Sequence, residues 1–319
     1  MTEGTPVRNY YQGIYLTETI MGNPNGDFID NSPRNVDGAV FTTDKCIKYN
    51  VRKYIHDTLE NFGEKENIVF FFPRLIDSTN EEDMKFKTRD QVFEHFKNFE
   101  EILKVSPDVR MFGGTFSVDN NAKQIYGPIQ LSYGLDINGA QIIRHQIGAP
   151  FATSEGSQKT VGSESVVDDA IIAYDITINP NNYKDLLLED DLELFKKALW
   201  EGTNLRKTTS KKTDSKLLIL IKFKNDSEND KVDAINMGEL KQLISIKGGK
   251  SKKMDENTIC LDCENLVKKI KKYEKYIECI DIYCDSDDVE LNSLEIDGEN
   301  LKDTNIKVNI YEPLSLLSD

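Results

Sequence analysis

The chain has 319 residues, of which 38% are hydrophobic, and it carries 40 Lys+Arg against 55 Asp+Glu for a net charge of −15. That length exceeds one small core and predicts a main domain carrying insertions. No stretch approaches the ~18 apolar residues of a helical membrane span. The negative balance argues against a generic nucleic-acid binder.

The charge is unevenly spread, however. Residues 279–319 hold 11 acids and 2 lysines, whereas residues 202–224 hold seven basic residues and one acid. Lys247, Lys250, Lys252 and Lys253 form a second basic run. An acidic chain of this kind can still present a cationic groove. The opening MTEGTPVRNY has no apolar signal region, and five cysteines, an odd number, suit a reducing compartment, so a cytoplasmic protein is expected.

Residues 10–20 (YYQGIYLTETI) read as a β-strand rich in Tyr, Thr and Ile. Next come Gly22, Asn23-Pro24, Asn25-Gly26-Asp27, Asp30-Asn31-Ser32-Pro33 and Asp37-Gly38, each a turn signal. A loop of more than ~12 residues between the first two elements marks a functional segment. A helix is predicted from Thr43, its N-cap, to Phe62, with Gly63 at its end. Ile47, Val51, Tyr54, Ile55, Leu59 and Phe62 form its buried stripe. Lys45, Lys48 and Arg52 share one edge beside that stripe, fit either to grip successive phosphates or simply to be solvated.

Residues 68–72 (IVFFF) read as a buried strand, followed by an acidic link from Asp77 to Asp83. Residues 90–104 make one amphipathic helix. A short helix then starts with Ser106 as cap and Pro107 at its first position, ending at Gly113-Gly114. Residues 125–138 and 170–178 have strand character. Residues 190–201 form a helix ended by Gly202, and 217–223 (LLILIKF) is a buried central strand. Residues 263–278 read as one helix lying between Cys260, Cys263 and Cys279, Cys284. The first pair has zinc-knuckle spacing and the second is wide, so either a four-thiolate site or simple burial is open.

Asn23-Pro24-Asn25-Gly26-Asp27, Pro33-Arg34, Ala39-Val40-Phe41 and Thr43-Asp44 resemble the N-terminal signature of the backbone subunit family of type I CRISPR effector (Cascade) complexes, most like the I-B branch. Two further blocks resemble it in the same order: Asp108-Val109-Arg110-Met111-Phe112-Gly113-Gly114, and Gly127-Pro128-Ile129-Gln130-Leu131-Ser132. The resemblance covers residues 10–60 and 106–135 and weakens beyond. It implies an α+β fold, a ferredoxin-like, RNA-recognition-type palm formed by residues 1–63, 111–137 and 169–319. It also implies a helical insertion at 64–110 and a β-hairpin thumb at 138–168.

Tyr11 and Tyr15 share a face of the first strand, but no convincing aromatic base-stacking signature is present. RNA contact is therefore expected through phosphates, which fix register without reading bases. Asn23, Asn25, Gly26, Gly113 and Gly114 would shape the backbone and offer N–H groups. Arg34, Lys45, Lys48, Arg52 and Arg110, with Arg206 and Lys207 from the basic stretch, would supply charge. By the resemblance, Arg144, His145, Ile147, Phe151 and Lys159 are the thumb residues that would wedge against RNA held by a neighbouring copy.

The resemblance further implies a non-enzymatic scaffold that polymerises along CRISPR guide RNA and presents it to target DNA. Its partners would be copies of itself, a large subunit, a head-end repeat endonuclease and a helicase-nuclease recruited later. No cofactor and no membrane contact is expected. The competing expectation is a metal-dependent endoribonuclease using Asp27, Asp30 or Asp37, as in related type III subunits, although turn chemistry alone explains Asp in such a loop. A protein-only interaction module using the acidic C-terminal part is a third. His56, His95 and His145 have no partner spacing for catalysis.

Overall fold

The computed structural model describes residues 4–76, 85–118, 121–148, 161–225, 232–247, 258–292, 294, 301 and 304–317. β1 (Tyr11–Gly22) leads through the turn-rich loop into a hairpin of β2 (Asn35–Val36) and β3 (Ala39–Thr42). Asp37 and Gly38 close that hairpin with φ of 50° and 85°, the left-handed pair that a two-residue turn between twisted strands demands. α1 (Asp44–Thr58) follows, then three short helices, α2 (Arg89–Phe93), α3 (Phe99–Val105) and α4 (Pro107–Phe112). β4 (Gly113–Val118) and β5 (Asn121–Tyr126) form a two-stranded sheet of their own. β6 (Ile129–Leu131), β7 (Gly134–Asp136), β8 (Ile142–Gly148) and the long β9 (Val161–Ile178) come next, then α5 (Glu189–Leu205) and β10 (Thr213–Phe223). The C-terminal part adds β11 (Ser245–Ile246), β12 (Ile259–Asp262), α6 (Glu264–Tyr273), β13 (Ile277–Cys284), β14 (Val289–Asn292) and β15 (Lys307–Tyr311).

The main sheet runs β15-β13-β10-β1-β9-β7-β3-β2, with β6 and β8 also paired to β9. β1 lies antiparallel between β9 and β10. With α1 and α5 packed together on one face, this is the ferredoxin-like arrangement of an α+β palm. Alternation along β1 sends Tyr11 and Tyr15 to the helices and Ile14 and Leu16 to the opposite face, where Tyr10, just before the strand, also lies. That opposite face is covered as well: Leu261, Leu266, Val267 and Ile270 pack on Ile14, Leu16, Ile219 and Ile221. Burial on both faces is why β10 reads as an unbroken apolar run. The C-terminal part thus does two things, extending the sheet with β13 and β15 and covering its face with α6 and the small β11-β12-β14 sheet. A further small core, including Ile68, Phe70, Phe96, Ile102, Val109 and Phe116, joins residues 68–70 to α2–α4 and β4.

Several elements differ from their sequence expectations. α1 stops at Thr58 and leaves Leu59 exposed, because the Glu60 carboxylate turns back to bind Arg74 and the Val69 N–H. Residues 68–70 are buried and Phe71 and Phe72 half-buried, but the stretch forms no strand. The N–H groups of residues 68–71 go to Val105 O, to Glu60 and to both oxygens of Asp108, so carboxylates replace a ladder. The single helix over 90–104 is two, since Asn98 Oδ1 accepts the Glu101 N–H and restarts the chain as α3. α5 runs through Gly202 rather than ending there. A Cβ on Gly202 would lie 2.5 Å from the Asn50 carbonyl oxygen, so the glycine permits close approach of α1 and α5. α6 stops at Tyr273 and a 3-10 turn leads straight into β13, shortening the helix expected to 278.

Candidate nucleic-acid interface

The first loop is held by its own side chains. Asn25 Oδ1 accepts the Thr43 N–H at 3.0 Å and the Thr43 hydroxyl at 3.1 Å, drawing the loop onto the start of α1. Thr43 therefore stands at the N-cap without capping through its side chain. Asp27 Oδ1 accepts the N–H groups of Ile29 and Asp30, and Asp30 Oδ1 accepts that of Ser32. These are local Asx turns, and the Ser32 N–H bond holds the Asp30 carboxyl below its usual range. A Cβ on Gly26 would meet Asn31 Oδ1 at 2.1 Å, so its close approach is within the loop. Asn23 Oδ1 and Arg34 Nε are buried without a hydrogen-bond partner among the described residues. The Arg34 guanidinium lies 5.3 Å from the Phe28 ring centroid, and that ring is fully exposed.

A second loop, residues 206–212, closes against the first. Lys211 Nζ donates to Asn23 O at 2.7 Å, and the Asn23 N–H donates to Ser210 O at 2.7 Å. Arg206 Nη1 donates to Asn50 Oδ1 of α1 at 2.7 Å and its guanidinium covers the Tyr49 ring. Burial lowers the pKa of Lys211. Lys45 and Lys212 are exposed beside these groups in sequence, at the start of α1 and before β10. The foot of the β8–β9 hairpin joins the cluster: Ser210 Oγ donates to Glu164 at 2.5 Å and Ser32 Oγ to Ser165 Oγ at 3.2 Å. Arg144 donates to Ser163, and His145 Nε2 lies 3.4 Å from Glu164.

Asn23, Asn25, Gly26, Arg34, Lys45, Arg206 and the hairpin residues Arg144 and His145 thus gather around two facing loops. Others are used internally. Lys48 pairs with Asp44 at 3.1 Å over the Phe112 ring, and burial lowers its pKa against the pull of Asp44. Arg52 pairs with the fully buried Asp108 at 3.1 Å and is flanked by Phe71 and Phe112. The single cationic edge expected along α1 is therefore split, with Lys45 exposed and the other two bound to carboxylates. Arg110 is buried, its Nε and Nη2 each 2.8 Å from Asp191 and its Nη1 on the carbonyls of Leu103 and Lys104. Gly113 has φ of 67°, and a Cβ there would meet Ile125 O at 2.2 Å, while one on Gly114 would strike the Phe71 ring at 2.2 Å. Both glycines pair with β5, so their openness serves the protein interior. Lys207 binds Thr213 O and Asp214.

Lys159 and Phe151 lie outside the described residues, as do Lys250, Lys252, Lys253 and the Asp77–Asp83 link. In the sequence, Lys211 and Lys212 stand out only as part of the basic excess of residues 202–224. Cys260 on β12 lies 3.2 Å from Glu290, while burial pushes the Cys263 thiol up to about 12 and the Cys284 thiol up to about 11. Among the described residues no group of three His, Cys, Asp or Glu could hold a metal ion. Likewise, no helix among them is long and apolar enough to cross a membrane.

The family described as CRISPR-associated protein Cas7 matches residues 9–277, and the chain belongs to that family. The fold is similar to a chain of a solved "CRISPR RNA-guided surveillance complex, pre-nicking", with a TM-score of 0.50, 10% identity, and coverage of 96% of this chain and 98% of that one. It is equally similar to a chain of a "CRISPR RNA-guided surveillance complex", with a TM-score of 0.50, 12% identity, and coverage of 96% of each. No curated protein matches.

Proposed function

We propose that this Cas7-family chain is the guide-RNA-binding backbone subunit of an RNA-guided surveillance complex of type I, I-B-like in its first-loop signature. The observation that carries the reading is the closure of loop 206–212 on the Asn23–Asp27 loop, which sets Lys211 against Asn23 and Arg206 against Asn50 of α1, with the exposed Lys212 next in sequence and the exposed Lys45 in the first turn of α1. The usual base-stacking face of an RNA-recognition sheet is covered here by α6 and its sheet. Contact therefore falls to phosphates at the loop end, which suits any guide sequence. Copies of the chain line up along the RNA and leave its bases to pair with target DNA, so that pairing reads sequence. The β8–β9 hairpin is the thumb, reaching the RNA of a neighbouring copy, and residues 64–110 are the helical insertion. We infer a subunit without nuclease activity, a reading supported by Asp27 and Asp30 each using Oδ1 to accept turn N–H groups.

Purified protein should carry small RNA and form helical arcs of identical subunits in electron micrographs. Replacing Lys45, Lys211 and Lys212 by Ala should weaken RNA binding equally for all sequences. The log–log salt slope should fall by about 0.7 for each phosphate no longer neutralised. An unchanged slope would leave Lys45 and Lys212 as solvated surface and Lys211 as a clasp on the first loop.

A further inference from the structure

A second cationic site lies far from the first. Lys224, just beyond β10, meets Lys271, Lys272 and Lys275 around an open cavity of about 470 Å³ that is also lined by Glu274 and Asn305. All four lysines are exposed. Lys224 Nζ donates to the Lys275 carbonyl at 3.1 Å, which fastens the strand end to the turn after α6. Glu274 is the only carboxylate among the described lining residues, and one of its oxygens is taken by the Asn305 N–H at 2.9 Å. Lysines in the last turn of a helix are favoured by its dipole, and this accounts for Lys271 and Lys272. It does not account for Lys224, brought in from another element, in a chain of net charge −15.

Lys212 precedes β10 and Lys224 follows it, so at ~3.3 Å per residue the two basic groups stand about 40 Å apart, at opposite ends of one strand. One phosphate cannot bridge them. The chemistry also discriminates among occupants. Among the described lining residues every cation is Lys and none is Arg. Lysine is depleted from protein–protein interfaces, whereas it serves well as a point charge for phosphate where no bidentate register is needed. Tyr276, 39% exposed beneath Lys275, adds an aromatic surface of the sort that accompanies cations in single-strand binding.

We propose that the Lys224–Lys271–Lys272–Lys275 cavity is a second phosphodiester site, which takes the backbone of a nucleic-acid strand other than the one held at the loop end. The phosphodiester site stands on the lysine cluster alone, and only the distinction between the two strands rests on the guide-RNA reading.

The test uses the full chain as purified, with whatever RNA it carries, and a fluorescein-labelled oligothymidylate as probe. Binding by anisotropy is measured across a salt series for the parent chain, for K271A/K272A/K275A and for K271R/K272R/K275R. The Ala variant should lower the log–log salt slope by about 2, with its copurified RNA and circular dichroism unchanged, and the Arg variant should stay within about twofold of the parent because charge is kept. Failure of the parent to bind the probe, an unchanged slope in the Ala variant, or an equal loss in the Arg variant would overturn the proposal. A change in sedimentation with no change in probe binding would do so too, by assigning the lysines to a protein contact. Protein that purifies without RNA would refute the guide-RNA reading alone, since the slope difference among variants is read on either form.

Discussion

Arg110 offers the sharpest separation between a scaffold role and an RNA role. Its guanidinium joins α4 to α5 through two bonds of 2.8 Å to Asp191 and two more to backbone carbonyls, with the pair almost wholly buried. Asp191 also accepts the Leu188 N–H at the start of α5, so one carboxylate serves both helices. Arg110→Ala would leave that carboxylate buried without its counter-ion, which costs about 3–5 kcal/mol. Unfolding entropy of ~2.1 cal/mol/K per residue over 319 residues converts this to a drop in Tm of about 4–8 °C. Asp191→Ala should cost a comparable amount, and the double variant clearly less than the sum. Denaturant titration of the four proteins gives the coupling energy directly, and RNA salt titrations run alongside. A stability loss below about 1 kcal/mol, joined to a salt slope reduced by about 0.7, would refute the reasoning and return Arg110 to the phosphates.

Three further outcomes are expected. Gly202→Ala should destabilise by roughly 1–3 kcal/mol through overpacking against Asn50 O, reversing the gain of up to ~1 kcal/mol that Ala normally brings to a helix; thermal melts decide the sign. Asp27→Asn should preserve RNA binding because Oδ1 still accepts two N–H groups, whereas Asp27→Ala should weaken it by loosening the loop. Neither should alter the fate of complementary RNA with magnesium, and regular cleavage by the parent that Asp27→Ala abolishes would instead establish the endoribonuclease. In NMR of carbon-labelled dimethyl-lysines, Lys211 should titrate below the ordinary lysine value and Lys216 above it. Burial lowers the first; for the second, burial opposes but is outweighed by Asp288 and Glu18. Lys216 thus contributes stability that is complete below the ordinary lysine pKa and is lost as pH rises through its own raised value. A reversed order would contradict the burial of Lys211.

The local devices of this protein are legible in its residues. Asp37-Gly38 specifies a two-residue turn because only such residues accept two left-handed positions cheaply. The 3.6-residue apolar period announces α1, and the unbroken LLILI run announces a strand covered on both sides. The ordered first-loop, Asp108–Gly114 and Gly127–Ser132 blocks carry the family likeness. Which cations and glycines the packing would enclose is less legible. Arg52 and Arg110 read as phosphate ligands, yet each has a buried aspartate far along the chain, Asp108 and Asp191. Residues 68–72 carry a strand's composition, but whether a ladder or the Asp108 carboxylate takes their N–H groups depends on which element arrives beside them.

Sequence by itself thus determined α1, the core of β10, the Asp37-Gly38 turn and the family signature, whose signals lie within short stretches of chain. Only the tertiary structure decided which charges stay exposed and which are bound. Lys211 reaches Asn23, and Lys224 reaches Lys275, because strand pairing brings distant loops together. A side chain's availability to a ligand depends on the partners that packing supplies, and for Lys211 that partner lies 188 residues away.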